Sequence, residues 1–440
     1  LARRLEARMR PGQPTLFPYE SPEEIWNEHR ESTRGRDLDI TGLSYAMLGT
    51  AGPQQWPIPE GAAAGCARLY EAGTFATADG RAEFSAIPWR PLAEPTDARH
   101  PFTLITGRLR DQWHGMTRTG TLGRLFGHVP EPSVGLHPQD LARLGLAEGD
   151  LAHVTSRRGS IVVPVQGLAE LAPGQAWLAM HWGSEVLSGR ANDGRPLAGV
   201  NALTLPVSCP ISRQPELKGA AVRIVKAELP WALLAMAWVP ADRALRIRAG
   251  LAELMPAFGF AACVPFGRER CGVMLRAAAD EPPPDEVLAR IETLLELDRP
   301  DTLRYADRKR HQRRALRLDR AGADSRLVAV MLAGDTRSEA WLAALLREEL
   351  PAQAYGRLLL RPDARAPVAI SPRGAQVCTC FDVGEDAITA ALAGCEGSDE
   401  ARLAALQERL RCGTNCGSCI PALRRLVRAM PPQRAAARAG

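Results

Sequence analysis

The chain has 440 residues, too many for one hydrophobic core, and at ~150 residues per domain it points to about three domains. Its 45% hydrophobic and 24% charged content is that of a globular protein, and a net charge of only +5 sets no global demand for nucleic acid. The longest apolar run, near Trp231–Val239, is too short to span a bilayer, no secretory signal opens the chain, and ten cysteines without a secreted disulfide framework fit a reducing cytoplasm.

The sequence starts at Leu1, and Leu1–Arg10 reads as the end of a helix already under way, so a carboxy-terminal portion of a larger protein is expected. Residues 1–98 are rich in Pro, Gly and Trp and read mostly as loops at the end of upstream domains. One helix start stands out there: Ser21 as cap, Pro22 in the first turn and Glu24 three residues on. Residues 99–227 read as β-rich, with strands at Phe102–Thr106, Leu151–Thr155, Ser160–Val165, Gln175–Met180 and Ala221–Val225. Arg157-Arg158-Gly159 is a hairpin signal, and a helix from Pro138 to about Leu144 stops at Gly145. Many short strands with long polar loops suggest a closed barrel whose loops carry the function.

Residues 228–362 are expected to form an α+β linker or interface region. Strand, helix, hairpin and helix alternate to about residue 300, and Pro282-Pro283-Pro284 precedes a helix from Asp285 to Leu297. A basic run from Arg304 to Arg317 and a helix around Trp341–Leu346 follow. Ala315–Asp319 alternates like a half-buried strand with a solvated face, and no aromatic set accompanies the run, which weighs against a nucleic-acid site.

Residues 370–430 carry Cys378-Thr379-Cys380 and Cys416-Gly417-Ser418-Cys419. Thiolates are soft ligands, and two of them one or two residues apart reach one cluster without a long ordered loop. The second pair lies in a Gly413-to-Cys419 turn whose glycines let the backbone curl closely. Apolar residues at 420, 423, 426, 427 and 430 then mark a helix with Pro421 in its first turn. Its N-terminus would favour negatively charged thiolates, and a short helix over Asp386–Leu392 offers the same behind Cys380. Ordinary buried cysteines and a structural zinc are the rival readings; zinc more often takes two C-x-x-C knuckles. Cys66, Cys209, Cys263, Cys271, Cys395 and Cys412 fall outside the pattern and read as plain small side chains.

After the first barrel strand stands the loop Thr106, Gly107, Arg108, Leu109, Arg110, Asp111, Gln112, Trp113, His114, Gly115. Arginines and backbone N–H groups suit phosphate, and polar edges with an aromatic face suit a heteroaromatic ring, though a polar loop with an Arg/Asp surface pair has the same composition.

Two resemblances sharpen these readings. The tail is similar to the bacterioferritin-associated-ferredoxin type of [2Fe–2S] module, where C-x-C is followed by a G-T-x-C-G-x-C turn, which implies Cys378, Cys380, Cys416 and Cys419 as cluster ligands. From about residue 15 to 227 the chain resembles the end of a molybdopterin-dependent oxidoreductase, most of all the catalytic subunit of cytoplasmic assimilatory nitrate reductases. The strings that carry this are Asp79–Phe84, Thr106-Gly107-Arg108 with Trp113-His114, Met180-His181-Trp182-Gly183, Val200–Thr204 and Gln214–Lys218. The resemblance implies a double-psi β-barrel clasping molybdopterin guanine dinucleotides, with binding roles for Thr106 through Gly115, Asn201 and Lys218. Ser208-Cys209-Pro210 departs from the family, many members of which place Asp-Pro there.

The expected protein is thus a mixed α/β multidomain chain: upstream domains to 98, the barrel over 99–227, the α+β region over 228–362 and the [2Fe–2S] module over 370–430. The implied activity is molybdenum-dependent reduction of nitrate to nitrite in the cytoplasm. It would use a Mo-bis(molybdopterin guanine dinucleotide), the [2Fe–2S] cluster and an upstream [4Fe–4S] cluster, with ferredoxin, flavodoxin or an NADH-linked flavoprotein as donor and neither nucleic acid nor membrane as partner. The molybdenum-ligating residue is expected upstream, so no catalytic residue is assigned. A formate dehydrogenase of the same superfamily is one alternative. A non-catalytic [2Fe–2S] redox-sensing or electron-transfer module is another, and such a module has no need of a dinucleotide loop.

Overall fold

The computed structural model describes residues 1–191, 193–197, 199–216, 219–319, 324–362 and 373–430. The chain divides into two compact units, Leu1–Arg90 and Pro91–Gly440. In the first, three helices, α1 (Ala2–Met9), α2 (Pro22–Glu31) and α3 (Tyr45–Ala51), stand among loops. Ser21 caps α2 as expected, its hydroxyl accepting from the Glu24 N–H at 3.3 Å, while Glu24 reaches back to the N–H of Glu20 at 2.8 Å. The Arg30 guanidinium ties this helix to the carbonyls of Thr41 (2.9 Å) and Leu43 (2.7 Å).

The second unit opens with strands β1 (Phe102–Gly107), β2 (Val134–Leu136), β3 (Leu151–Thr155), β4 (Gly159–Gly167), β5 (Gln175–Ala179), β6 (Gly189–Ala191) and β7 (Ala220–Lys226). They pair in the order β2-β5-β1-β7-β3-β4-β6, and β2 also pairs with β4 in parallel. That second pairing closes six strands into the expected barrel and leaves β6 as a flap on β4. The alternation Phe102, Leu104, Thr106 points one face of β1 inward. The helix α4 (Pro138–Leu144) ends at Gly145, whose φ of 65° only glycine adopts freely. β2 and β6 were not legible, being three residues each.

Residues 91–98, assigned by sequence to the upstream part, fall on the barrel side of the division. The reason is Glu94, which is buried and accepts from both ends of the Arg158 guanidinium (2.9 Å each) and from the Ala221 N–H (3.2 Å). This carboxylate straps the incoming chain to the β3–β4 hairpin and to β7.

The second sheet holds β8 (Trp231–Val239), β9 (Phe260–Phe266), β10 (Cys271–Ala279), β11 (Leu303–Asp307), β12 (Gln312–Asp319) and β13 (Arg326–Ala333), in the antiparallel order β11-β12-β13-β8-β10-β9. One face, with Leu233, Ala235 and Leu275, packs under α5 (Ala244–Ala252) and α6 (Asp285–Leu294). The other, with Leu234, Met236 and Met274, shares a core with the barrel residues and with α7 (Glu339–Arg347). Strand β9 is stitched to the barrel side by Cys263 N–H to Val186 O (2.8 Å) and Ser188 N–H to Ala261 O (2.9 Å). The α+β region is therefore no mere spacer.

Two local expectations need correction. The helix read to Leu297 ends at Leu294, because Glu296 turns left-handed (φ 56°) and the Leu297 N–H returns to Glu292 O at 2.7 Å. The half-buried alternation expected for Ala315–Asp319 fails at the centre of β12, where Arg314, Ala315 and Leu316 are all buried. Arg314 can lie inside because it donates to Ser338 Oγ (2.7 Å) and Pro362 O (2.8 Å). The rest of the basic run is largely spent within the fold: Glu292, itself buried, holds Arg304 at 2.7 Å and Arg313 at 2.6 Å.

The module at the end has its own small core. It is built from β14 (Gln376–Cys378), β15 (Val383–Gly384), α8 (Glu385–Leu392), α9 (Asp399–Leu410) and α10 (Ile420–Ala429). α10 buries Leu423 and Val427 from the expected stripe. The buried Arg402 of α9 donates to the carbonyls of Val427 (2.9 Å) and Met430, closing the C-terminus of α10.

The Glu94 strap sets a pH dependence. The Arg158 guanidinium holds this carboxyl below its ordinary value of 4.5 against the opposing effect of burial. A depressed folded-state value means the strap stabilises fully above the unfolded value and is lost as pH falls through the folded one. Acid titration of the unfolding free energy should therefore decline below about pH 4.5. Glu94→Gln should cost about 2–3 kcal/mol at neutral pH and flatten that decline, as measured by urea denaturation.

Candidate functional site

The four tail thiols meet two by two. Cys380 and Cys416 bring their sulfurs to 3.4 Å near the surface, and the buried thiols of Cys378 and Cys419 hydrogen-bond to each other. Two left-handed glycines make the second arm possible: Gly413 at φ 78° and Gly417 at φ 73°. Cys419 is the residue that leads into α10, so this arm does sit at a helix N-terminus. The expectation for the first arm needs correction. α8 starts at Glu385, beyond the β14–β15 turn, and its first N–H is spent on the Ala375 carbonyl at 2.9 Å.

Protonation in this cluster follows burial. Burial pushes the Cys419 thiol up to about 11, with Cys378 adding to the rise and Arg110 opposing it. The Ser418 hydroxyl holds the more exposed Cys416 below the usual thiol range. Buried thiolates need compensating positive charge, which is what bound iron supplies. No set of three or more His, Cys, Asp or Glu side chains among the described residues is gathered tightly enough to hold one metal ion. Thiols gathered in pairs are compatible with a two-iron core held by four cysteines.

Cys412, read as a plain small side chain, is fully buried with its thiol against those of Cys378 and Cys419, and burial pushes it up to about 12. Its position one residue before Gly413 was the available signal. The Cys395 thiol donates to the Ala391 carbonyl (3.2 Å), and Cys263 is a buried thiol that burial raises to about 11.

The loop after β1 is held from below by His181. Its Nε2 accepts from the Leu109 N–H at 2.8 Å, so Nδ1 carries the proton and donates to the His114 carbonyl at 2.5 Å. Burial keeps this ring neutral by lowering its basicity. His181 was part of a matched string but was not named as a site residue; a buried histidine bridging two points of one loop has no sequence signature.

Along the loop, Thr106 is buried at the end of β1, and Gly107 faces Trp177, whose Nε1 lies 2.5 Å from where a Cβ would stand. Packing, rather than close approach to a ligand, thus accounts for glycine there. Arg108 is exposed and makes no ion pair among the described residues, whereas Leu109 is buried in the core. Gln112 is buried, donating to the Leu125 carbonyl at 3.2 Å while its Oε1 has no partner among the described residues. Trp113, His114 and Gly115 are exposed, Trp113 against the His114 edge and beneath the Arg118 guanidinium at 5.2 Å. Asn201 comes to the same rim, its Nδ2 donating to Met180 O at 3.3 Å while the Met180 N–H donates to Gly107 O at 2.9 Å. Lys218 lies outside the described residues. A free arginine, an exposed indole and an unsatisfied buried amide fit a phosphorylated heterocycle.

Arg110 and Asp111 turn the other way. They pair at 2.8 Å, and both reach the first thiol arm: Arg110 donates to Val377 O (2.8 Å) and Thr379 Oγ1 (3.1 Å), and the Thr379 hydroxyl donates to Asp111 (2.6 Å). From the β9–β10 turn, Arg268 donates to the carbonyls of Thr379 (2.9 Å) and Cys380 (2.8 Å). Burial pushes the Asp111 carboxyl up, but the Arg110 guanidinium and the Thr379 hydroxyl together hold it below its ordinary value.

Comparison with known proteins fits this division of labour. Residues 102–221 match the family described as Molydopterin dinucleotide binding domain, and residues 376–429 match the BFD-like [2Fe-2S] binding domain. The nitrate reductase of Klebsiella oxytoca is 31% identical over 437 residues, covering 94% of this chain and 44% of that protein. A Synechocystis nitrate reductase is 38% identical over 223 residues, covering 50% of this chain and 30% of that one. The assimilatory nitrate reductase of Haloferax mediterranei is 33% identical over 234 residues, covering 51% and 30%. The chain thus spans less than half the length of these relatives.

Replacing Cys378 or Cys416 with Ala in the full-length protein should abolish the [2Fe–2S] electron paramagnetic resonance (EPR) signal, while Cys395→Ala leaves it. Gly107→Ala forces Trp177 aside and should cost about 1–3 kcal/mol of stability in a denaturant titration.

Proposed function

We propose that this chain, which carries a molybdopterin dinucleotide-binding domain and a BFD-like [2Fe–2S]-binding domain, is part of a molybdenum-dependent nitrate reductase of the assimilatory type. The observation that carries the reading is the direct contact between the two cofactor-binding loops, through Arg110, Asp111 and Thr379. Such a contact serves a chain that passes electrons from one centre to the other, and a stand-alone redox sensor has no use for it. The nitrate reductase relatives favour nitrate over formate as substrate.

In this reading the Thr106–Gly115 loop and Asn201 bind the dinucleotide, with Arg110 and Asp111 turned to the thiol arm, and the resemblance adds Lys218 to the set. Arg108 supplies a phosphate cation, and the exposed Trp113 a stacking face. His181 orients the loop through the Leu109 N–H and the His114 carbonyl, and the buried Gln112 fixes its far end. Cys378, Cys380, Cys416 and Cys419 hold the iron, with Arg268 keeping the first arm in place. The bound molybdenum cofactor supplies the oxygen-atom chemistry and the iron–sulfur cluster supplies single electrons. The domains run 1–98, 99–227, 228–362 and 370–430, with the last residues of the first, from Pro91 on, grouped with the barrel. A ferredoxin, a flavodoxin or an NADH-linked flavoprotein subunit is the electron donor, and the compartment is the cytoplasm. No helix among the described residues is long and apolar enough to cross a membrane.

The test is the full-length protein assayed with a reduced viologen dye and nitrate, alongside metal and nucleotide analysis. Nitrite formation with molybdenum and two guanine nucleotides per chain is the expected result. Iron without molybdenum or nucleotide, or formate oxidation without nitrate reduction, would overturn the assignment.

A further inference from the structure

Arg110 and Asp111 lie in the loop that chain position assigns to the dinucleotide, yet their side chains face the thiol arm. Val377 and Thr379, the two neighbours of Cys378, both hang from the single Arg110 guanidinium, at 2.8 and 3.1 Å. Thr379 is shared: its hydroxyl accepts from Arg110 and donates to Asp111. Arg268 holds the Thr379 and Cys380 carbonyls of the same arm.

We propose that Arg110 and Asp111 are positioning residues of the [2Fe–2S] centre, and that their opposed charges set its reduction potential from within the dinucleotide loop. The inference rests on the cluster reading of the tail but not on the choice of substrate.

The electrostatics support the geometry. Both charges meet at Thr379, the residue between Cys378 and Cys380, and so lie within one residue of two ligands. Both groups are partly buried, so solvent and salt screen them less than surface charges. Reduction adds one electron, and so one negative charge, to the cluster. A nearby cation stabilises the reduced form and raises the potential; a nearby anion lowers it. Removing Arg110 deletes the cation and leaves the Asp111 anion in place, so the midpoint falls by the Arg110 contribution. Removing the Asp111 charge leaves Arg110 unopposed, with the reverse sign.

The experiment is an EPR-monitored redox titration of the full-length holoprotein and its variants. Arg110→Gln should lower the midpoint by tenfold or more in the reduction equilibrium, about 59 mV for a one-electron couple. Asp111→Asn, which keeps the side-chain shape, should raise it, and Arg110→Lys should restore most of the wild-type value. Shifts of the same sign in Arg110→Gln and Asp111→Asn, or an unchanged midpoint in Asp111→Asn, would overturn the proposal. If Arg110→Gln loses the cluster altogether, the Asp111→Asn midpoint still decides. A wild-type protein with no [2Fe–2S] signal would instead refute the cluster reading itself.

Discussion

Everything that gives this chain a use depends on how one short segment, Val377 to Cys380, is suspended. The carbonyls of Val377, Thr379 and Cys380 and the Thr379 hydroxyl are taken up by two guanidinium groups from different parts of the fold, Arg110 beside the barrel and Arg268 on the second sheet. Arginine suits the task because its planar fork offers several donors in fixed directions and stays charged at any physiological pH. A carbonyl bound to a cation also cannot wander without leaving a charge unsatisfied, which makes the suspension geometrically strict. The distance between the two cofactor sites is thus fixed by donor–acceptor contacts.

Those two arginines hold position only because the surfaces beneath them are rigid. Arg110 follows β1, a central strand with partners on both sides, and the loop around it is tied by His181 at two points. Arg268 sits in a tight turn between β9 and β10, whose residues are nearly all buried. The sheet that carries the turn shares its core with the barrel, so both attachment points belong to one packed body. This gives the α+β region a mechanical reason to exist, whatever else it binds.

Much of this was legible in sequence where the signal was local. Strands β1, β3, β4 and β7 announced themselves through β-branched residues bounded by turn residues, β5 through its apolar run Ala176–Ala179, and α4 through its terminal Gly145. The thiol pairs were legible because their spacing is short and their glycines are obligatory. What escaped was non-local. Arg110 and Asp111 looked like dinucleotide contacts because nothing in a linear reading says that residue 379 will arrive beside residue 111. The alternation read over Ala315–Asp319 does not extend to Arg314, whose guanidinium goes inside on the partners supplied by Ser338 and Pro362. The loop that forms 3-10 helix at Asn201 and the three-residue strands β2 and β6 are too short to carry a period at all.

The seam between β9 and the segment around Leu187 bears on any attempt to take the protein apart. Severing the chain between residues 227 and 228 looks natural on a domain map. It would strip the barrel of its neighbour along Val186–Ser188, bare the strand donors of β9, and uncover the greasy side of the sheet around Leu234 and Met236. Fragments cut there inherit a raw edge and a sticky wall, the two ingredients of self-association. The minimal soluble piece that retains the barrel is one that keeps both sheets together.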